Sequence, residues 1–190
     1  ETIRSLEDLR VGASWSNYGV YQLVSKYVKV CMDGAGADEL FGGYDWRYTA
    51  ADYYEVLNRT GGQDEYCLSV YEKYFPEDTD KARFEWDANH FLEGVLLVVD
   101  RLSMAHTIEM RLPFLDNELV DFALQLPTEF RQRKMVLKDA FRDLLPSAVL
   151  SAPKRGWSSP DWIEGEGNQA NKWAVAALEE WKRIFTPNTL

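Results

Sequence analysis

Histidine and cysteine are scarce in this chain, with two of each among 190 residues. Cys31 and Cys67 make no disulfide framework, and Cys31 lies in an apolar run that is typical of a small buried side chain. No C-x-x-C or H-E-x-x-H pattern occurs in the sequence. These absences disfavour a zinc site and a fold held together by disulfides.

Long apolar runs and an excess of basic residues are also missing. The apolar runs, such as residues 95–99, are all far shorter than the roughly 20 residues that a membrane-spanning helix needs. Residues 1–10 are charged, so they predict no signal peptide, and without an initiator Met we expect the true N-terminus to lie upstream. Lys and Arg total 21 against 31 Asp and Glu, which gives a net charge of −10. This charge argues against broad, non-specific binding of nucleic acid. We therefore expect a reduced, cytoplasmic protein with no nucleic-acid or membrane partner. The negative net charge is compatible with a local basic pocket for a phosphate.

Apolar residues make up 46% and aromatic residues 14% of the chain, a composition that suits a folded core. The spacing of apolar residues predicts one strand, residues 28–32, that ends at a glycine turn. The same spacing predicts helices over residues 17–27, 81–108, 115–126, 136–145 and 171–185. A single strand must belong to a sheet, so its partners are either weak strands or sequence outside this chain.

Residues 91–99 form the most apolar part of the longest predicted helix. Because apolar residues occur there on nearly every face, we expect this segment to be buried on all sides. Charged residues follow it directly, over residues 100–116, and buried charges are costly unless they are paired. For Glu109 and Arg111, pairing among these charges is the favoured interpretation. For Asp100 and Arg101, pairing and a polar pocket at the helix end are equally supported.

A glycine-rich turn follows the predicted strand, with the sequence DGAGADELFGGY over residues 33–44. Its glycines, Gly34 and Gly36 among them, let backbone amides approach a ligand closely. Asp38 and Glu39 come at the start of a helix, where the helix dipole stabilises carboxylates, and acids at a strand end suit Mg²⁺ with phosphate oxygens. Capping of the helix by an Asp explains the same pattern equally well. The turn is neither a Walker loop nor a dinucleotide-binding fingerprint.

Two cations lie together in a loop, where Lys154 and Arg155 stand between Pro153 and Gly156. Lys and Arg in a loop of an acidic protein suit a clamp for a polyphosphate or for a leaving pyrophosphate. A solvated surface loop explains the same residues without any ligand. On the loop sequence alone, the solvated surface loop is the favoured interpretation.

Together, the three segments resemble those of one family. Residues 34–44 resemble the SGEGADELFGGY element of asparagine synthetases, and residues 100–116 resemble their DRMSMAHSLEVRVPFLD element. Residues 138–157 resemble the family's following run, which ends in pKrGF. Three elements in the same order over residues 20–160 make the resemblance specific.

The resemblance implies an α/β fold, with a parallel sheet flanked by helices as in adenine nucleotide alpha hydrolase-like domains. This chain itself is expected to be mostly α-helical, with one or few strands. The implied activity is that of a ligase that uses ATP and Mg²⁺ to adenylate a carboxylate, usually that of aspartate. Ammonia from a glutaminase domain then displaces AMP and gives asparagine.

The resemblance also implies roles for individual residues of the turn and the loop. By position, Asp38 matches the acid associated with Mg²⁺ and pyrophosphate. Lys154 matches the lysine that stabilises the adenylation transition state and the pyrophosphate, as a cation placed near developing phosphate charge can do. Gly34, Gly36 and Glu39 belong to the same nucleotide-binding turn.

The segment after the apolar helix matches the substrate side of the family's site. Asp100, Arg101 and Glu109 fall on what the resemblance gives as the substrate-side helix, with Asp100 and Arg101 as catalytic candidates. Ala35 stands where asparagine synthetases usually carry Glu. The methyl group of alanine cannot donate or accept a proton, so this residue leaves open whether the chain transfers ammonia and forms asparagine. β-Lactam-forming and peptide-cyclising members of the family also vary at this position.

The family's S-G-G-x-D-S pyrophosphate loop and its glutaminase domain do not occur in this sequence. Residues 1–190 are therefore expected to be part of a synthetase domain: a fragment, a split subunit or a degenerate relative, inactive when isolated. The expected partners are an aspartate-like substrate and the missing upstream segment or glutaminase domain, in cis or in trans, and a homo-oligomer is compatible with the sequence. A partner protein without ATP chemistry and an unrelated helical interaction domain are the competing interpretations.

Overall fold

The computed structural model of the chain describes residues 1–8, 14–44, 80–154 and 169–186. In chain order, the elements are α1 (Thr2–Leu6), α2 (Ser14–Val24), β1 (Val30–Met32), α3 (Ala37–Leu40), α4 (Asp80–Trp86), α5 (Leu92–Met104), β2 (Glu109–Arg111), α6 (Asn117–Gln125), α7 (Thr128–Arg131), α8 (Met135–Ala140), α9 (Ser147–Leu150) and α10 (Gln169–Phe185). A π-helical turn, Asp87–Phe91, joins α4 to α5. Within these ranges no helix is both long and apolar enough to cross a membrane.

The described sheet consists of two parallel strands. β1 pairs with β2 in a register that sets Val30 opposite Glu109 and Met32 opposite Arg111. The strand predicted over residues 28–32 is confirmed in its last three residues. The described part of the chain is thus mostly helical with a small parallel sheet, and β2 is the strand partner that the sequence pattern did not indicate.

The prediction that one helix runs to residue 108 is wrong at its end. α5 ends at Met104, and Thr107 adopts a left-handed backbone with φ of 56°, which a continuing right-handed helix does not allow. Residues 109–111 then form β2, in which Met110 alone is apolar. Glu109 therefore lies on a strand and not on a substrate-side helix. A three-residue strand with charges at both ends is too short to show an alternating pattern.

The chain divides into two compact units, each described by itself. The first contains the described residues of ranges 1–33, 95–111 and 155–190. Its core is formed by Leu6, Tyr21, Leu102 and Ile108, all less than 5% exposed. These residues come from α1, α2, α5 and the segment before β2, so the small sheet and three helices share one apolar centre.

The second unit contains the described residues of ranges 34–94 and 112–154. Leu40 and Phe41, at the end of α3, pack with Ala123 of α6 in its core. α6 begins where Asp116 accepts hydrogen bonds from the backbone N–H groups of Glu118 and Leu119, which satisfies two of the free donors at a helix start. This unit holds the glycine turn and Lys154.

The expectation that residues 91–99 are buried on all sides is wrong. Leu92 and Val99 are buried, but Phe91 is exposed and residues 94–98 are half-buried. Two other helices differ at their ends: the first long helix is Ser14–Val24, and α8 ends at Ala140 before a series of turns. Leucines and aromatics continue past residue 140, so the apolar spacing alone could not show that the backbone leaves the helix there.

Candidate functional site

The turn at residues 34–36 sets the start of α3. Gly36 is the residue before the helix and has a φ of 92°, in the left-handed region that favours glycine. A Cβ on Gly36 would lie 2.4 Å from the Leu115 side chain, so a larger residue would not fit without displacement. Because Gly36 is the capping position, Asp38 lies inside the first turn of α3 and its side chain does not cap the helix. The carboxylate is thereby available for other partners.

Asp38 is bound by two lysines from distant parts of the chain. Lys154 Nζ donates to Asp38 Oδ2 at 2.9 Å, and Lys134 Nζ lies 2.8 Å from Asp38 Oδ1. The Asp38 side chain is 18% exposed, and each lysine side chain is less than a third exposed. The three groups carry a net charge of +1, so the cluster suits an anionic ligand.

Gly43 makes room for the Asp38 carboxylate. A Cβ on Gly43 would lie 1.7 Å from Asp38 Oδ1 and 2.7 Å from the Lys134 side chain. The Gly43 backbone N–H also donates to the Asp38 carbonyl at 2.8 Å, which ties the end of the turn to its start. The second glycine of the Gly42-Gly43 pair is therefore required by the close approach of a charged cluster.

Tyr44 connects Lys154 to the buried Glu39. The Tyr44 hydroxyl donates to Glu39 Oε1 at 2.6 Å, and Glu39 is 2% exposed. Lys154 Nζ lies 5.3 Å from the centre of the Tyr44 ring, within the range of a cation–π contact. In this arrangement Glu39 orients Tyr44, and Tyr44 in turn contacts Lys154. The predicted role of Glu39 as a nucleotide-binding residue stays a prediction.

The pKa of Asp38 is set by two opposing effects. Burial raises the pKa of the carboxyl, because the charged form loses solvation. The hydrogen bonds and charges of Lys134 and Lys154 lower it by more, so the pKa lies below its ordinary value of 3.8. Asp38 is consequently ionised at neutral pH and holds both ammonium groups in place.

Lys134 is the residue of this cluster that sequence reasoning missed. Arg133 and Lys134 both have positive φ, 54° and 58°, and each such non-glycine residue costs about 1–2 kcal/mol. Their backbone N–H groups donate to the Gly42 and Phe41 carbonyls at 2.9 Å. The only sequence signal is the basic run at residues 131–134, which by itself looks like a solvated surface.

Both lysines line a cavity of about 710 Å³ in the second unit. Gly34, Gly43 and Lys138 contribute to the same wall. The remaining lining residues include apolar side chains of α8, α9 and the turns between them, among them Leu137, Phe141, Leu145 and Val149. The cavity therefore combines a cationic end with an apolar wall, which suits a ligand that carries both an anion and an apolar part.

The described residues do not by themselves fit a protein-held Mg²⁺. No group of three or more His, Cys, Asp or Glu side chains with suitable geometry occurs among them. Each oxygen of the Asp38 carboxylate contacts one ammonium group. The metal role implied for Asp38 stays a prediction.

The other candidate residues lie in the first unit, on α5 and β2. Arg101 donates to the Leu6 carbonyl and lies 3.7 Å from the Glu7 carboxylate, while Asp100 is exposed. Arg111 pairs with Glu109 at 2.7 Å, as expected when these charges pair among themselves. The catalytic roles implied for Asp100 and Arg101 stay predictions, and Arg155 lies outside the described residues.

Taken together, the second unit presents a glycine turn, a half-buried carboxylate and two lysines at one cavity, a combination found in proteins that bind anionic ligands. A family model described as asparagine synthase matches residues 1–185 of the chain. The chain therefore belongs to the asparagine synthase family.

Three curated relatives show how much of such a protein the chain covers. An asparagine synthetase (glutamine-hydrolyzing) of Bacillus subtilis is 27% identical over 86% of the chain and 35% of the relative. The asparagine synthetases (glutamine-hydrolyzing) of Gallus gallus and Bos taurus are 30% and 28% identical, over 83% and 100% of the chain. They are covered over 26% and 33% of their own length. The chain thus spans about a third, or less, of these relatives.

Proposed function

We propose that this chain is the part of an ATP-dependent, amide-forming ligase that holds the pyrophosphate portion of the nucleotide while a carboxylate is adenylated. The observation that carries this proposal is the pairing of Asp38 with Lys154 at the glycine turn, across 116 residues of sequence. The resemblance assigns the pyrophosphate-associated acid and the transition-state lysine to these same two positions. Their contact brings two separately recognised motifs to one cavity.

The chemistry that this site supports is charge stabilisation. In adenylation, a substrate carboxylate oxygen attacks the α-phosphorus of ATP, and the bond to pyrophosphate breaks. Negative charge then grows on the leaving pyrophosphate, and a lysine that is already in place lowers the barrier. ATP and its Mg²⁺ enter together as the nucleotide substrate. An amine then attacks the acyl carbon, and AMP leaves.

Aspartate and ammonia from glutamine are the proposed substrates, in keeping with the names of the relatives. The proposed partners are an upstream synthetase segment and a glutaminase domain, in the same or another chain. The proposed complete fold is the adenine nucleotide alpha hydrolase-like α/β domain, and the parallel pairing of β1 with β2 supports it. Residues 1–190 would be one part of that domain.

A test of this proposal combines the chain with an upstream segment that carries S-G-G-x-D-S, taken from a relative or from its own flanking sequence. Aspartate-dependent ATP–pyrophosphate exchange is measured in the combined protein. We expect exchange in the wild type, its abolition in Lys154→Ala, and no change in Lys182→Ala, which removes an exposed lysine of α10. Unchanged exchange in Lys154→Ala would rule out the role given to this lysine.

A ligase of the same family with another carboxylate and another amine is the second candidate. Ala35 favours it, since the family's Glu is missing at this position. Replacing aspartate in the exchange assay by a panel of amino acids and carboxylate-bearing peptides distinguishes the two candidates. Exchange that depends on another acid and not on aspartate would support the second.

A further inference from the structure

The side chain of Tyr44 is held by contacts at its hydroxyl, its ring and its backbone. The hydroxyl donates to Glu39 Oε1 at 2.6 Å. The ring meets that of Phe91 in the edge-to-face geometry that aromatic pairs prefer, with 5.4 Å between the ring centres. The backbone N–H of Gly43, the preceding residue, donates to the Asp38 carbonyl at 2.8 Å. Tyr44 is therefore a fixed point at the end of the glycine turn.

Glu39 is the anchor of this tyrosine. It lies in the first turn of α3 and is 2% exposed. A buried carboxyl group needs hydrogen-bond partners, and the Tyr44 hydroxyl is one of them. With so little exposed surface, Glu39 is placed to act on a ligand through Tyr44 rather than by direct contact.

The Tyr44 ring is a partner of Lys154 that takes none of its charge. Lys154 Nζ lies over the ring, 5.3 Å from its centre, and also donates to Asp38 Oδ2 at 2.9 Å. An ammonium group has three N–H donors, and a second carboxylate partner would use another donor and add a negative charge. An aromatic face attracts the cation without doing either. Tyr44 thus restricts the place of the ammonium group and leaves its charge for a ligand.

A restricted ammonium group matters because the lysine side chain is a flexible four-carbon stem. One hydrogen bond to Asp38 leaves such a stem several orientations. A cation lowers a barrier most when it is already in place where negative charge develops, since no reorganisation is then needed during the reaction. The ring face and the Asp38 oxygen together give Lys154 two fixed contacts.

We propose that Tyr44 is a positioning residue for Lys154, and that the buried Glu39 fixes the Tyr44 ring for this purpose. This inference rests on the proposed function, in which Lys154 stabilises charge on the leaving group. Tyr44 acts on the place of the ammonium group and not on the nucleotide. Its loss therefore reduces the rate of adenylation more than the affinity for ATP.

The first measurement tests the positioning without any ligand. The purified chain is treated briefly with a trace of acetic anhydride, and mass spectrometry gives the acetylation rate of each lysine in the same sample. In Tyr44→Leu we expect Lys154 to react about threefold faster or more, because the ring no longer covers and attracts the ammonium group. Lys138, which lines the same cavity, is the internal reference and should change by less than about twofold.

Two further variants separate the ring from its hydroxyl and from general packing. Tyr44→Phe keeps the ring but loses the bond to Glu39, so its Lys154 acetylation rate should lie between those of the wild type and Tyr44→Leu. Phe141→Leu removes an aromatic ring from the wall of the same cavity and should leave the Lys154 rate within about twofold of the wild type. Circular dichroism and thermal unfolding confirm that each variant is folded.

The second measurement uses the exchange assay with the upstream segment and with the acid that supports exchange in the wild type. Tyr44→Leu should lower kcat about tenfold or more, while the KM for ATP changes by less than about threefold. Tyr44→Phe should recover part of the lost kcat. A purely structural role would lower the amount of folded protein and leave the reactivity of Lys154 unchanged.

Three outcomes overturn the positioning role. The first is a Lys154 acetylation rate in Tyr44→Leu within about twofold of the wild type. The second is an equal increase at Lys138, or in Phe141→Leu, which would show a general loosening of the cavity. The third is an unchanged kcat in Tyr44→Leu. Absence of exchange in the wild-type combined protein would instead overturn the proposed function, and the acetylation rates would still decide whether Tyr44 positions Lys154.

Discussion

Asp38 is the residue on which the candidate site depends most directly. Its carboxylate is mostly buried, ionised and held between two lysines. The sequence indicated an acid in the first turn of a helix, and α3 confirms that placement. What the sequence could not show is its set of partners, because one lysine lies in a loop motif and the other in a basic run with no distinguishing pattern. Contacts between distant residues depend on tertiary packing, which local spacing does not encode.

The lowered pKa of Asp38 makes part of the stability of the chain dependent on pH. Because the folded pKa lies below the ordinary value, the stabilisation by the ionised carboxylate is fully present above about pH 4. It is lost as the pH falls through the folded pKa. Asp38→Asn should lower the free energy of unfolding by about 1 kcal/mol or more at pH 6, and this difference should shrink toward pH 3.

Urea unfolding at several pH values between 6 and 3 measures this difference. Asp139→Asn serves as the control, since Asp139 is an exposed residue paired with Arg142 on the surface. Its substitution should change stability by no more than about 0.5 kcal/mol throughout. A difference between wild type and Asp38→Asn that is constant over the whole pH range would contradict the pKa argument.

At the scale of elements, α7 is held to α3 by a buried arginine. Arg131 is 2% exposed, its Nε donates to the Leu40 carbonyl at 2.8 Å, and its guanidinium lies 4.3 Å from the centre of the Phe84 ring. Leu40 closes α3, the helix that carries Asp38. Arg131 therefore connects the end of the functional helix to the segment that leads into Lys134.

Removing this connection should be costly. We expect Arg131→Met to lower the free energy of unfolding by about 2 kcal/mol, because the buried Leu40 carbonyl loses its charged donor. Arg142→Met, at an exposed arginine paired within one helical turn, should cost no more than about 0.5 kcal/mol. Denaturant unfolding of both variants provides the comparison. Equal effects would mean that Arg131 contributes no more than a surface charge.

The elements themselves were predictable in proportion to their length and regularity. The long amphipathic helices were found because many apolar residues repeat at one spacing, as in α6 and α10. The sequence pattern does not predict β2, because one apolar residue between two charged residues gives no alternation. Its parallel pairing with β1 also joins residues that are far apart in sequence. The segment at residues 91–99 is less buried than its apolar composition predicts, since hydrophobicity shows that a segment can be buried and not what covers it.

For the whole molecule, ligand binding should appear as stability. If the chain binds pyrophosphate, a free concentration of 100 times the dissociation constant stabilises it by about 2.7 kcal/mol. For a chain of this size that corresponds to a rise in Tm on the order of 5–10 °C. Differential scanning fluorimetry should show this rise in the wild type, and a rise at the same concentration that is much smaller in Lys154→Gln. An equal rise in both proteins would place the binding elsewhere.

The sequence predicts the protein family better than any other property of the whole molecule. Three motifs in order identified the family, which the match over residues 1–185 shows. The motifs could do so because glycine turns and charged clusters tolerate few substitutions. They could not show that the described chain forms two compact units with separate cores, since both cores draw on residues from several parts of the sequence.

The missing side chain at Gly43 offers a criterion for sorting other members of the family. A residue with a Cβ at this position would collide with the Asp38 carboxylate, so a chain that keeps the carboxylate in this place needs a glycine here. A relative that keeps the acid but replaces the glycine has to move the carboxylate away from its lysines. The residues at positions 38 and 43 of a new family sequence, compared together, therefore distinguish relatives that can form the charged cluster from relatives that cannot.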